Sequence, residues 1–356
     1  MKVVTILGTR PEIIKLSPLI PLLDKEFDHI LIHTGQHYSY QMDKIFFEEL
    51  KLRECDYILN VGSATHAQQT ANMMIEIEEV LLKENPDMVL VQGDTNSTLA
   101  GAITSSKLNI KVVHVEAGCR SFDKNMPEEI NRILVDHCSD ILFAPDENSF
   151  ANLKSEGIKK NKIHLVGNTS IDACLRARHL FNKDKLAELG LEKNEYALMT
   201  LHRQENTDTD QLKEIMDAVN KISHEIKIIF PVHFRTLKIL KENNFDIGEN
   251  IILTEPLGYG DFVGLLSLAK FVMTDSGGIQ EESAVLNTPC LILRENTEWN
   301  YLVDLGKNML VGTKYNNIVD SILNLLMDEE KLSKMRNIKF NFETGVSESI
   351  ISLLKS

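Results

Sequence analysis

The sequence predicts an α/β protein of two domains, each a doubly wound parallel sheet. Three observations carry this. Short apolar runs rich in β-branched residues alternate with longer amphipathic stretches, the pattern of βαβ units. The alternation starts afresh in the second half of a chain of 356 residues, longer than one hydrophobic core usually supports. Unusual polar residues also gather just after the carboxyl ends of the expected strands, which is the ligand edge of an open α/β sheet.

In chain order, the first-half strands fall at 3–7, 30–33, 88–91, 111–115, 141–144 and 162–166, with helices opening near Pro11, Met42, Gln68, Ser97, Glu128 and Glu147. Pro11 suits a first helical turn, where its missing N–H costs nothing. The second-half strands fall at 196–200, 227–231, 250–254, 271–274, 290–293 and 309–311, with helices opening near Asp210, Thr236, Asp261, Ile279, Glu298 and Asn317. Residues 167–185 carry no strong strand pattern, so the crossing between domains is expected there, giving 1–168 and 169–344. Short-period repeats and low-complexity segments are absent, which excludes a solenoid. Two such Rossmann-like domains are expected to face each other across a central cleft that holds the ligand.

Composition narrows the partners. With 38 basic and 52 acidic residues the formal charge is −14. That balance disfavours nucleic acid, which is held by basic faces, and obliges any anionic ligand to find a local positive pocket. An apolar fraction of 43% and a charged fraction of 25% fit a soluble globular chain and exclude disordered, collagenous and coiled-coil classes. Five scattered cysteines without a CxxC pair read as reduced core thiols. The apolar run near Met1 is too short for a signal segment or a membrane span, so a cytoplasmic protein is expected.

Five clusters at strand ends carry the chemistry. Gly8-Thr9-Arg10-Pro11-Glu12 with Lys15 places two cations near a helix N-terminus, against the dipole, as an anion site would; a solvated turn with an Arg10–Glu12 pair is the alternative. Asp94 in Gly93-Asp94-Thr95 is placed for acid/base work, or is simply a helix N-cap. Glu116 ends a nearly apolar strand, where desolvation would raise its pKa towards neutrality, unless it is a buried partner of Arg120. His114 beside it reads as a satisfied core histidine. In Pro127-Glu128-Glu129-Ile130-Asn131-Arg132, Glu128 and Arg132 share a helix face. Asp275-Ser276-Gly277-Gly278 offers unobstructed backbone N–H groups to a diphosphate, and Glu282 one turn on can accept from ribose hydroxyls. His202 ends the first strand of the second half with Arg203 beside it. The pair His33 and His37 lacks a third ligand at zinc-like spacing, so no metal is expected. P-loop, GxGxxG, GxSxG and HExxH templates are all missing.

Taken together, these motifs resemble the non-hydrolysing UDP-N-acetylglucosamine 2-epimerase family. They occur in the family's order: Gly8-Thr-Arg-Pro-Glu with Lys15, His33-Thr-Gly-Gln-His37, Gly93-Asp-Thr, His114-Val-Glu-Ala-Gly118, Pro127-Glu-Glu with Asn131 and Arg132, His202-Arg, and Asp275-Ser-Gly-Gly-Ile-Gln-Glu-Glu282. The resemblance implies a fold of the glycosyltransferase-B type, a homodimer, a C-terminal helix at about 345–356 returning to the first domain, and interconversion of UDP-GlcNAc with UDP-ManNAc without metal or cofactor. It also implies Asp94, Glu116, Glu128 and His202 as catalytic groups. Arg10, Lys15, Arg132, Phe262, Ser276, Gly277, Gly278 and Glu282 would bind substrate. Where the family often has Thr-Glu-Arg-Pro-Glu, this chain reads Thr297-Glu298-Trp299-Asn300-Tyr301, so one cation expected near the nucleotide is missing. That form resembles the branch acting on UDP-2,3-diacetamido-glucuronic acid, which stands as one alternative; a glycosyltransferase on the same fold is the other.

Overall fold

The computed structural model describes residues 1–36, 40–339 and 341–356; His37 therefore lies outside the described residues. The chain divides into two compact units, Met1–Arg176 with Phe342–Ser356, and Ala177–Asn341.

The first unit is built on seven parallel strands: β1 (Lys2–Leu7), β2 (Asp28–His33), β3 (Tyr57–Ile58), β4 (Met88–Gln92), β5 (Lys111–Val115), β6 (Ile141–Ala144) and β7 (Ile163–Leu165). Their order is β3-β2-β1-β4-β5-β6-β7. The sheet runs outward from β1 in both directions, so β1 and β4 flank the topological switch point. Thr5 pairs there with Leu31 on one side and Leu90 on the other. Val3, Val4, Ile6, Val89, Leu90 and Val91 are wholly buried, which is why these segments read as continuous apolar runs rather than alternating ones. β3 escapes the sequence pattern because two residues give no periodicity. The helix Val346–Leu354 belongs to this unit. Asp172 accepts from the backbone N–H groups of Gly345 and Ser347 at its start, at 3.1 and 2.8 Å, and Lys355 pairs with Glu26 beyond its end.

The second unit repeats the plan with six parallel strands: β8 (Tyr196–Thr200), β9 (Lys227–Pro231), β10 (Ile251–Thr254), β11 (Phe271–Thr274), β12 (Cys290–Ile292) and β13 (Asn308–Leu310). Their order, β10-β9-β8-β11-β12-β13, puts the switch point between β8 and β11. The hydroxyls of Thr200 and Thr274 bond across it at 2.7 Å. Among the described residues no helix is long and apolar enough to cross a membrane, and the five cysteines are thiols.

One buried charge in this unit has a measurable signature. Lys307 is 1% exposed, and its Nζ donates to Asn287 Oδ1 at 2.5 Å and to the Arg336 carbonyl at 3.4 Å. Burial pushes its ammonium down to about 8, whereas an unfolded lysine titrates near 10.4. Between those values the unfolded chain binds the proton that the folded one has released, so stability rises with pH across that window. Unfolding midpoints measured at about pH 7 and 9.5 should show the rise, and Lys307→Met should flatten it while raising the lower midpoint.

Candidate active site

The clusters expected after β1, β4 and β11 stand at the switch points, Glu116 follows β5, and residues 127–132 open a helix instead. In the first unit β1 delivers Gly8-Thr9-Arg10, β4 delivers Gly93-Asp94, and β5, next to β4, delivers Glu116. Arg10 opens the helix Arg10–Leu16 and lies over the Phe46 ring, 4.5 Å from its centroid. Glu12 is not its surface partner. It is buried, and its carboxylate accepts from Gly8 N–H at 3.0 Å, Thr9 Oγ1 at 2.8 Å, Thr95 Oγ1 at 3.0 Å and Thr98 Oγ1 at 3.2 Å. One side chain thus ties the turn after β1 to the turn after β4. Burial pushes its pKa up, against the pull of those donors. The Thr9-x-x-Glu12 spacing is the sequence signal for such a role, since it has the form of a capping box. Asp94 is likewise not the helix cap; Thr95 caps the helix Asn96–Lys107 in reciprocal bonds with Thr98.

Glu116 does not pair with Arg120. Lys15 Nζ reaches both its oxygens, at 2.8 and 2.6 Å, and Gln92 Nε2 donates to Oε2 at 2.6 Å. The expected desolvated carboxylate is therefore a partly exposed one set on its own cation. Its φ of +70° is a left-handed conformation that costs a non-glycine residue about 1–2 kcal/mol, the kind of strain that collects at functional positions. Arg120 instead joins Asp136 and Glu156, both at 2.7 Å. Burial works against the Lys15 ammonium, but Glu116 above all, and Asp94 after it, raise its pKa above the ordinary value.

Asp94 has a separate cation, Arg132, whose Nη2 lies 2.5 Å from Oδ2. Arg132 also donates to Glu129 at 3.0 Å, not to Glu128, its expected neighbour on the helix face. The two adjacent acids on the helix Pro127–Cys138 differ completely. Glu128 is exposed. Glu129 is buried and accepts from the backbone of Ser121 and Phe122, both at 2.9 Å. Burial alone would raise the Glu129 pKa, and these donors with Arg132 bring it below the usual range. No residue-level signal distinguishes the two glutamates; only the helix phase does.

In the second unit β8 leads to His202 and β11 to Asp275-Ser276. The Asp275 side chain is fully buried and takes His202 Nδ1 at 2.8 Å, the backbone N–H groups of His202 and Arg203 at 3.1 and 3.0 Å, and Asn206 Nδ2 at 3.3 Å. Against the upward push of burial, the His202 bond and charge and the backbone donors hold its carboxyl below the ordinary range. Half-exposed His202 is thereby oriented through Nδ1. Ser276 precedes the helix Gly277–Val285 and makes no side-chain cap bond. A Cβ on Gly277 would stand 2.3 Å from Glu298 Oε1, whereas one on Gly278 would meet open space. Glu282 accepts from Tyr259 Oη at 2.7 Å, so one of its oxygens is already engaged. Phe262 is half-buried on the helix Tyr259–Leu268.

The stretch at 297–301 has no arginine of its own, and two guanidinium groups stand beside it. Arg294 Nη1 lies 2.6 Å and Arg203 Nη2 3.6 Å from the Glu298 carboxylate. Burial raises the Glu298 pKa, and a backbone donor, then Arg294 and Arg203, more than reverse it. The helix start at Gly277 therefore has two guanidinium groups at its side. Among the described residues no cluster of metal-ligating side chains is found.

Comparison with known proteins gives concordant matches. The family model described as UDP-N-acetylglucosamine 2-epimerase matches residues 23–355. The UDP-N-acetylglucosamine 2-epimerase of Methanocaldococcus jannaschii is 50% identical, over 99% of each chain. A crystal structure of that organism's UDP-GlcNAc 2-epimerase in complex with UDP-GlcNAc and UDP superposes with a TM-score of 0.81 at 49% identity, covering 100% of this chain and 99% of that one. The UDP-2,3-diacetamido-2,3-dideoxy-D-glucuronate 2-epimerase of Pseudomonas aeruginosa is 42% identical over 90% of this chain and 91% of its own.

Proposed function

The chain belongs to the UDP-N-acetylglucosamine 2-epimerase family and is an isomerase of that kind; from that premise we propose that it inverts C2 of UDP-GlcNAc by eliminating UDP and adding it back. A pyranose C2 has no neighbouring carbonyl, so direct proton removal would leave an unstabilised carbanion. Departure of UDP from C1 makes the C2 proton acidic enough for a carboxylate, giving 2-acetamidoglucal with a C1=C2 double bond. UDP then returns to C1 as C2 is protonated on the other face, yielding UDP-ManNAc.

The observation that carries this reading is the pairing of carboxylates with separate cations in the first unit: Asp94 on Arg132 and Glu116 on Lys15, with exposed Glu128 on the same helix as Arg132. Proton removal and delivery at one carbon need two such groups in different environments. In the second unit, His202 and the backbone N–H groups at Ser276, Gly277 and Gly278 would stabilise charge growing on the leaving diphosphate, with Glu282 on the ribose and Phe262 against the uracil. Arg10 would add a cation at the sugar end. The pure protein incubated in D₂O with UDP-GlcNAc alone should give both epimers labelled at C2. Release of free ManNAc would point to a hydrolysing enzyme, and turnover only with an acceptor to a glycosyltransferase. Preference for the diacetamido uronic acid nucleotide would move the chain to that branch.

Gly278 offers a clean separation of binding from folding. Gly278→Ala sets a Cβ in open space at the helix start, with no protein atom within 4 Å, so UDP affinity should fall about tenfold while the unfolding midpoint stays close to wild type. Calorimetric titration with UDP beside thermal unfolding checks it.

We place the enzyme in the same reading as a cytoplasmic homodimer. Five scattered thiols suit a reducing compartment. Met126, Ile130 and Leu134, spaced four apart, are 38%, 47% and 43% exposed, an apolar stripe of the sort that a second copy covers. Ile130→Asp with Leu134→Lys should halve the mass seen by light scattering; an unchanged mass removes this face from the interface.

A further inference from the structure

His114, on β5, has a fully buried side chain. Its Nδ1 lies 2.7 Å from Asp136 Oδ1, and its Nε2 2.8 Å from the carbonyl oxygen of Gly93. Both partners are acceptors. A carbonyl oxygen has no proton to give, and the other Asp136 oxygen takes the Gly118 N–H at 3.1 Å and Arg120 Nη2 at 2.7 Å, so Asp136 serves as a carboxylate. A neutral imidazole carries one N–H and one lone pair. In either tautomer the lone pair of this fully buried imidazole would face an oxygen at hydrogen-bond distance, leaving a buried acceptor unsatisfied at a cost of about 1–3 kcal/mol. The charges around it agree. Asp136 and Glu156 oppose Arg120 in one connected cluster, with exposed His137 3.7 Å from Glu156 at its rim. A cation at His114 brings this cluster to two charges of each sign.

We infer that His114 is a doubly protonated imidazolium acting as a positioning residue for Asp94. Gly93, with φ +75°, is pinned to β5 on both sides: its N–H donates to the Val115 carbonyl at 3.0 Å, and its carbonyl accepts from His114. The next residue is fixed in turn, since the Asp94 carbonyl accepts from Asn131 Nδ2 at 2.8 Å and its carboxylate from Arg132. Asn131, Arg132 and Asp136 all lie on the helix Pro127–Cys138. The His114–Asp136 bond therefore sets this helix against the Gly93-Asp94 turn, and Asp94 keeps its place relative to its cation. The catalytic half of this inference rests on the epimerase reading; the protonation half does not.

The test begins with the resting, substrate-free protein. Nitrogen NMR of histidine-labelled wild type at neutral pH, with the His114 signals assigned by their loss in His114→Gln, should show both ring nitrogens protonated; one protonated and one bare nitrogen overturns the inference. Gln cannot be protonated, and its amide sets an acceptor oxygen and one NH2 group where the imidazolium has two separated N–H donors. His114→Gln should therefore lower kcat about 10- to 100-fold, with KM and the UDP dissociation constant changed less than about threefold and C2 deuterium incorporation falling in step with kcat. An unchanged kcat, or a loss confined to KM, overturns the positioning role. If the Gln variant does not fold, His114→Asn carries the same comparison and assignment. A wild type that does not epimerise UDP-GlcNAc would defeat the epimerase reading and leave the nitrogen spectrum to decide the protonation state.

Discussion

Replacing Glu128 by Gln is expected to reduce kcat about 10²–10⁴-fold while UDP affinity stays within a few-fold of wild type. The substitution is isosteric, and it removes the negative charge together with the ability to take and give a proton. Glu128 is exposed, so no buried bond is lost and the fold should be unaffected. Asp94→Asn should be equally severe in kcat, but for two reasons that a binding measurement separates. It removes a proton carrier, and it also leaves Arg132 with Glu129 as its remaining anionic partner. Because UDP is assigned to residues of the second unit, its dissociation constant should be insensitive to both changes; a mutation that lowers kcat and kcat/KM together has removed an interaction made in the transition state. Glu129→Gln is the control. Its carboxylate supports the backbone of Ser121 and Phe122, so this variant should lower stability by about 1–3 kcal/mol. Unchanged turnover in Glu128→Gln would take that residue out of the mechanism.

This contrast between neighbouring glutamates shows where sequence reading reaches its limit. β1, β4, β8 and β11 are legible because strands buried on both faces are written as unbroken apolar runs, and the polar residues after them are legible because the ligand edge follows from chain direction. The switch points themselves are not, since the sheet order depends on which non-adjacent segments pair. Partnerships across long separations are equally hidden. Lys15 and Glu116 lie 101 residues apart, and nothing in either neighbourhood names the other. The Arg120 alternative for Glu116 was closer in sequence and wrong in space. The solvated-turn alternative for Arg10 would have Glu12 at the surface, yet helix phase turns it inward beneath both turns. Around Trp299, residues 297–301 hold no cation, and only the fold sets Arg203, from a different strand end, beside Glu298.

The Lys15–Glu116 pair leads to the second large effect. Lys15→Met should lower kcat about 100-fold, because it removes the ammonium that holds both Glu116 oxygens. Without it Gln92 alone remains, bonded to one oxygen, and the carboxylate loses its fixed place. Lys15 itself does not titrate in the working range. Its pKa is raised by Glu116 over the opposing effect of burial, so the stabilisation it contributes is complete below the ordinary lysine value and is lost only as pH climbs through the raised one. Lys15→Arg keeps the charge but exchanges a point donor for a planar fork. It should recover only part of kcat, because proton transfer at C2 depends on where the carboxylate oxygens sit as well as on the charge beside them. Full recovery in Lys15→Arg would reduce Lys15 to a counter-ion, and an unchanged kcat in Lys15→Met would take the pair out of the mechanism.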